Sequence, residues 1–139
     1  MRICIDTWFL LELSNGENYS LKLLEETEKG MHELFIPALA LSEFFTILYQ
    51  KGMPSLAESI FAQIMVSKNI SIVPVDEALC IKIAKIKHSF GLSISDASMV
   101  AAYKITNSDV FLAKDSDFSA AIKQNYVKVS TAKELLKGK

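Results

Sequence analysis

The 139-residue chain contains few of the residues that build disulfide frameworks or thiol-based metal sites. Its two cysteines, Cys4 and Cys80, lie far apart and fit no metal-binding or redox spacing. Cys4 falls in a predicted strand and Cys80 in a predicted helix. We therefore expect both to be small buried or half-buried hydrophobic residues.

Long hydrophobic runs, biased segments and a large net charge are also absent. The N-terminal stretch MRICIDTWFLLEL is apolar, but it contains Asp6 and Glu12 and has no cleavage-site pattern. We expect neither a signal peptide nor a membrane span, and with so few cysteines this favours the reducing cytoplasm. The net charge of −1 argues against a strongly basic nucleic-acid coat protein. Only the short KELLKGK end is expected to lie outside a compact fold.

Half of the residues are hydrophobic, and the length suits a single domain over residues 1–139. Short runs rich in Ile, Val and Phe predict strands at 2–5, 33–36, 70–75, 109–113 and 126–129. Longer segments with helical periodicity lie at 19–29, 38–51, 54–68, 76–89, 94–107 and 116–124. Apolar strands that alternate with helices predict an α/β fold, with three layers (α/β/α) around a central, mostly parallel five-stranded sheet.

Two aspartates follow predicted strands directly. Asp6 follows the first strand in ICIDTWFLL, and Asp115 follows the fourth in VFLAKDSDF. Ligands of open parallel sheets bind at the carboxyl ends of the strands, so both residues lie where a site is expected. Each can also serve simply as the cap of the helix that follows, because Asp is a favoured N-cap residue.

Two further acids lie on predicted helices. Glu43 and Asp96 are each flanked by apolar residues one turn before and one turn after. Such a carboxylate faces or borders the core, where it must be paired or bound to metal. The alternatives are that Glu43 reaches solvent from the margin of the apolar stripe, and that Asp96 completes a capping box with Ser93.

The acids together suggest a metal site. Mg²⁺ and Mn²⁺ prefer oxygen ligands, whereas the isolated His32 and His88 offer no softer site. Carboxylate-lined pockets that hold such ions catalyse phosphodiester hydrolysis, and the ions let an acidic pocket accept an anionic backbone.

Four motifs in order, ICIDTWFLL, LSEFF, SISDASMVAAY and FLAKDSDF, resemble those of the PIN-domain ribonucleases. The chain is most similar to the compact VapC-like toxins of prokaryotic toxin–antitoxin pairs, from residue 3 to about 118. The resemblance implies a Mg²⁺- or Mn²⁺-dependent endoribonuclease with RNA as substrate, a cognate antitoxin and a homodimer. The implied catalytic residues are Asp6, Glu43, Asp96 and Asp115; the implied metal ligands are Asp6, Asp96, Asp115 and Asp117; Thr7 supplies an accessory hydroxyl.

One position departs from the family pattern. Ala113 stands where the closing motif usually has Thr or Ser. Lys114, next to it, matches a position that is often basic and is the candidate contact to RNA phosphates. Other candidate RNA-binding residues are equally consistent with a purely structural role. The basic cluster Lys82, Lys85, Lys87 and His88 suits a solvated helix face, and Trp8 and Tyr103 either stack on bases or pack.

Other functions of parallel α/β proteins fit less well. A phosphoacceptor receiver domain needs two adjacent acids after the first strand, and a haloacid-dehalogenase-type phosphatase needs Asp-x-Asp, where this chain has Trp8. The remaining alternative is a PIN-like scaffold of weak or no activity that binds RNA or a protein. The four acids favour the enzyme, because a scaffold gains nothing from clustered carboxylates that repel one another.

Overall fold

The computed structural model describes residues 1–138, and for Asp115 it describes the backbone alone. Within this range strands and α-helices follow in the order β1 (Arg2–Ile5), α1 (Thr7–Ser14), α2 (Asn18–Glu28), β2 (Glu33–Pro37), α3 (Ala38–Gln50), α4 (Pro54–Val66), β3 (Ile70–Val73), α5 (Glu77–Phe90), α6 (Ile94–Ile105), β4 (Val110–Leu112), α7 (Ser119–Lys123), β5 (Val129–Ser130) and α8 (Ala132–Lys137). A 3₁₀ turn, Asp115–Asp117, precedes α7. In the described range, no helix combines the length and apolarity needed to span a membrane.

The five strands form one sheet in the order β3-β2-β1-β4-β5, and every neighbouring pair is parallel. The predicted α/β/α architecture is therefore confirmed. From β1 the chain builds outward through β2 to β3, and then crosses back to place β4 on the other side of β1. The carboxyl ends of β1 and β4 thus form the switch point of the topology, where such sheets bind ligands.

The sheet separates two apolar cores because successive residues of a strand point to opposite faces. Ile3 and Ile5 belong to the first core, with Phe9 of α1. Cys4, between them, belongs to the second core, with Val100 of α6. Helices α1, α2, α4 and α8 contribute to the first core, α5, α6 and α7 to the second, and α3 to both.

The two cysteines differ in burial. Cys4 is buried as expected, whereas Cys80 is exposed, so the expectation for Cys80 is wrong. The buried residues of α5 are Leu79, Ile83 and Ile86, and Cys80 lies one position away from that stripe.

Two strand boundaries differ from the predictions. β3 ends at Val73, before Pro74, because proline has no N–H to donate to the sheet. β5 comprises Val129–Ser130 and not residues 126–129. Asn125 has a positive φ of 55°, and the N–H of Tyr126 donates to the carbonyl oxygen of Ala121 at 2.9 Å. The segment before β5 therefore still belongs to the end of α7.

Two helices were not predicted, α1 and α8. The KELLKGK end was expected outside the compact fold, but α8 extends to Lys137, so that expectation is wrong for the residues described. The hydroxyl of Thr131 accepts a hydrogen bond from the N–H of Glu134 at 3.1 Å, so Thr131 is the N-cap of α8, and it lies 3.2 Å from the Glu134 carboxylate. Leu135 and Leu136 then pack against the first core.

Candidate active site

Asp6 lies at the switch point and is the N-cap of α1. Its Oδ1 accepts a hydrogen bond from the N–H of Phe9 at 3.0 Å, and its own N–H donates to the carbonyl oxygen of Leu112 in β4 at 3.1 Å. The side chain is only 4% exposed. Burial raises the pKa of Asp6 to about 7; backbone hydrogen bonds, the strongest from Phe9, oppose this shift, and the charge of Asp117 adds to it. Asp6 is therefore an N-cap, as one interpretation held, and also a desolvated acid.

Asp96 lies in the first turn of α6 and is half-buried. Its N–H donates to the hydroxyl of Ser93 at 3.0 Å, so Ser93 caps the helix. Burial raises the pKa of the Asp96 carboxyl, and the charges of Asp117 and Glu43 raise it further, against a hydrogen bond with Ser93. The capping interpretation describes the backbone here, while the side chain lies among the other acids.

Glu43 is exposed on α3, so the alternative that it reaches solvent is correct about its burial. Two hydroxyl groups nevertheless hold its carboxylate. Thr7 donates to Oε1 at 3.0 Å and Ser95 donates to the same oxygen at 2.8 Å. The resemblance had singled out Thr7, but sequence reasoning missed Ser95, whose one local signal is its place directly before Asp96.

The segment after β4 supplies the remaining acids. Asp115 begins the 3₁₀ turn, and its side chain lies outside the described residues, so its role stays a prediction. The cap position of α7 is occupied by Phe118, so the expectation that Asp115 caps this helix is wrong. Asp117, which is exposed, ends the turn close enough to raise the pKa of both Asp6 and Asp96.

The described acids influence one another in pairs: Asp117 with Asp6, Asp117 with Asp96, and Glu43 with Asp96. No group of three His, Cys, Asp or Glu side chains among the described residues is arranged to hold a metal ion. The side chain of Asp115 lies outside these described residues. The edge is thus a set of acids from α1, α3, α6 and the turn after β4, with a strong local negative charge.

A cation and a large ring lie beside the acids. Lys114 is exposed, and its Nζ lies 5.5 Å from the ring centroid of the half-buried Trp8. Tyr103 is buried, and its hydroxyl accepts a hydrogen bond from the N–H of Lys128 at 3.3 Å, so it packs and is not available for stacking on a base. Lys87, from the basic cluster of α5, donates to the carbonyl oxygen of Leu92 at 2.9 Å and stabilises the loop before α6.

The family model of the PIN domain matches residues 3–123 of this chain. Among solved structures, the chain is similar to VapBC2 from Rickettsia felis bound to a promoter DNA fragment, at 9% identity and a TM-score of 0.72, covering 94% of this chain and 98% of the other. It is similar to a toxin–antitoxin complex from Klebsiella pneumoniae, at 14% identity, a TM-score of 0.68 and coverage of 94% and 97%. It is also similar to Mycobacterium tuberculosis VapC20, a toxin that cleaves the sarcin–ricin loop, at 22% identity, a TM-score of 0.65 and coverage of 86% and 94%. No curated protein matches the chain. At such low identities, the structural likenesses bear on the fold.

Proposed function

Since the chain belongs to the PIN domain family, we propose that it is a metal-dependent endoribonuclease and the toxin of a toxin–antitoxin pair. One observation carries the proposal. Asp6 and Asp96 are partly or fully desolvated at the switch point, and the charge of Asp117 raises the pKa of both. Perturbed acids gathered at one edge indicate a site of chemistry more than a site of stability.

The donor set fits a hard divalent cation such as Mg²⁺ or Mn²⁺. Burial and like charge raise the pKa of Asp6 and Asp96, and a bound cation offsets both causes. The residues that would hold it are Asp6, Asp96, Asp115 and Asp117. Because the described side chains form no group of three, binding requires Asp115 or a rotamer change at exposed Asp117. When bound, the ion supplies a hydroxide nucleophile and stabilises charge that develops on the phosphate.

The protein's own residues hold the substrate and the acids in place. The Phe9 hydrogen bond fixes Asp6 at the end of β1, and the first turn of α6 fixes Asp96. Glu43, exposed and held by the hydroxyl groups of Thr7 and Ser95, would accept a proton from the attacking water. Lys114, exposed at the rim, would contact a phosphate next to the scissile bond.

RNA cleavage tests the enzymatic proposal. Wild-type protein and Asp96→Asn are compared on several RNAs with Mn²⁺ and with EDTA. We expect cleavage by the wild type with Mn²⁺, none with EDTA, and a loss of about 100-fold or more in Asp96→Asn. The matched control is Asp76→Asn, which alters an exposed N-cap on α5 and should cleave like the wild type.

The contrary outcomes are distinct. A folded wild type that cleaves none of the RNAs with Mn²⁺, or with Mg²⁺ in its place, favours the alternative, a PIN-like scaffold that binds RNA or protein without cutting. Cleavage that survives Asp96→Asn places the chemistry elsewhere or in a contaminant.

An apolar surface of this chain supports the proposal that an antitoxin binds it. An apolar cavity of about 270 Å³ lies between α1, α2 and α4, lined in part by Leu10, Leu24 and Ile60. Leu21, on its edge, is 43% exposed. An apolar cavity that is open at its edge can accept the apolar face of a partner helix. Two of the similar structures are toxin–antitoxin assemblies, VapBC2 and the Klebsiella pneumoniae complex. The homodimer and the cytoplasmic location stay predictions.

Bacterial growth tests the toxin role. Expression of the wild type should arrest growth, expression of Asp96→Asn should not, and the product of an adjacent small gene should relieve the arrest. Leu21→Glu should stay toxic but escape relief, because a buried carboxylate weakens the contact. Lys22→Glu, one exposed position away, should still be relieved. A wild type that is harmless, or that no neighbouring gene product relieves, contradicts the toxin–antitoxin proposal.

A further inference from the structure

The carboxylate of Glu43 joins three helices. Its Oε1 accepts hydrogen bonds from Thr7, the first residue of α1, and from Ser95, the second residue of α6. Thr7 directly follows Asp6, and Ser95 directly precedes Asp96. Glu43 is thus hydrogen-bonded to the residue that follows Asp6 and to the residue that precedes Asp96.

The Ser95 hydroxyl behaves unlike most helix hydroxyls of this protein. Ser42, Thr46 and Ser98 each donate to a carbonyl oxygen of their own helix, as short polar side chains in helices commonly do. Ser95 donates across to α3, a partner 52 residues away in the sequence. Capping does not require it, because the hydroxyl of Ser93 already accepts the N–H of Asp96.

Glu43 needs such an anchor because its surroundings favour another position. The side chain is exposed, flexible and close enough to Asp96 for the two charges to repel. A free carboxylate would move outward into water. The hydrogen bonds from Thr7 and Ser95 both fall on Oε1, so among the described residues Oε2 keeps its lone pairs for the site.

We propose that Ser95 is a positioning residue, whose hydroxyl, together with that of Thr7, holds the Glu43 carboxylate beside Asp96. This inference rests on the proposed ribonuclease function. Thr7 anchors Glu43 from the side of α1 and Ser95 anchors it from the side of α6. Removing the Ser95 hydroxyl leaves the hydrogen bond from Thr7, about which the Glu43 carboxylate can turn away from Asp96, and it removes no carboxylate.

Kinetics of Ser95→Ala test the positioning role. We expect kcat for RNA cleavage to fall about 10- to 100-fold while KM stays within about twofold, because substrate contacts are unchanged. Ser95→Thr, which keeps the hydroxyl, should recover most of the loss. The control Ser42→Ala removes a hydroxyl beside Glu43 that bonds only within α3, and it should match the wild type. Thermal melting confirms that each variant is folded.

A Mn²⁺ titration without RNA gives a second readout that does not depend on activity. Glu43 is not among the proposed ligands, but its carboxylate lies close to Asp96 and adds negative charge beside a bound cation. Ser95→Ala, which lets that carboxylate move away, should therefore bind Mn²⁺ about 10- to 100-fold more weakly than the wild type. In a Glu43→Ala background the same substitution should cost nothing further, because the group that it positions is gone.

The results separate the two proposals. A wild type that does not cleave RNA refutes the ribonuclease function, and the Mn²⁺ titration then decides the role of Ser95 alone. Wild-type Mn²⁺ affinity and kcat in Ser95→Ala overturn the positioning role. An equal loss of affinity in the Glu43→Ala background also overturns it, because Ser95 would then act by another route.

Discussion

Asp6 has two roles that make opposite demands on its charge. As the N-cap of α1 it accepts the N–H of Phe9, an interaction that favours the ionised form. As a nearly buried acid beside Asp117 it is destabilised when ionised. Burial has the larger effect, because the pKa of Asp6 is raised to about 7. An uncharged N-cap such as asparagine would serve the helix equally well without a buried charge, so capping alone does not explain the aspartate.

We predict that Asp6→Asn stabilises the metal-free protein at pH 8. Asparagine is as good an N-cap as aspartate, but it has no charge to desolvate. The free energy of unfolding should rise by on the order of 4 kcal/mol, since the pKa shift from 3.8 to about 7 spans about three units and each unit corresponds to about 1.4 kcal/mol. Urea denaturation in EDTA measures the change. In the control Asp76→Asn, at the exposed N-cap of α5 whose Oδ1 accepts the N–H of Leu79, the change should stay within about 0.5 kcal/mol.

The pH dependence of that gain gives a separate test. The pKa of Asp6 rises from 3.8 to about 7 on folding, so the folded state holds this proton more tightly than the unfolded state. Its contribution to stability is complete below about pH 4 and is lost as the pH rises through about 7. Asp6→Asn should therefore gain little over the wild type at pH 4 and the full amount at pH 8. An equal difference at both pH values contradicts the raised pKa.

At the scale of elements, patterns within a segment predicted most of the fold. The four strands β1 to β4 and the helices α2 to α6 lie within two residues of their predicted bounds. Each of these segments has its own apolar face and its own turn or breaker residues at its ends. α1 was missed because its sequence is apolar nearly all round. The site was likewise predictable only where the signal is local. The end of a predicted strand located Asp6, whereas the hydrogen bond between Ser95 and Glu43 joins residues 52 positions apart, which no local pattern contains.

The helix α8 was not predicted from the sequence, and the contribution of its N-cap to stability can be tested. Thr131→Ala removes the hydroxyl that accepts the N–H of Glu134. We expect the free energy of unfolding to fall by about 1 kcal/mol, the usual cost of a lost N-cap. Urea denaturation measures it against Thr46→Ala, an exposed threonine whose hydroxyl bonds within α3. Equal, small effects of the two substitutions would mean that α8 contributes little to the fold.

At the scale of the whole molecule, topology brings together acids that the chain keeps far apart. β4 is the neighbour of β1, and the turn after β4 therefore lies beside the end of β1. Closing the sheet and packing α6 against it places Asp117 near both Asp6 and Asp96. Folding thus concentrates negative charge at one edge, and this cost falls on the native state alone because the unfolded chain keeps the acids apart.

A cation that binds this edge should consequently stabilise the entire fold. A ligand present at about 100 times its Kd adds about 2.7 kcal/mol to the free energy of unfolding. For a domain of this size, that corresponds to a rise in Tm of roughly 8 °C. We expect millimolar Mn²⁺ or Mg²⁺ to raise the Tm of the wild type at pH 8 relative to EDTA at equal ionic strength. Asp96→Asn should lose most of the rise, while Asp76→Asn should keep it.

The ionic-strength match is essential, because simple screening also weakens the repulsion among exposed acids. Screening by monovalent salt would stabilise wild type and Asp96→Asn in similar proportion, whereas specific binding depends on the ligand set. A wild-type Tm that is the same in Mn²⁺, Mg²⁺ and EDTA would contradict a metal site formed by these acids. A rise that persists in Asp96→Asn would mean that the ion binds elsewhere on the molecule, and that the repulsion at this edge is left uncompensated.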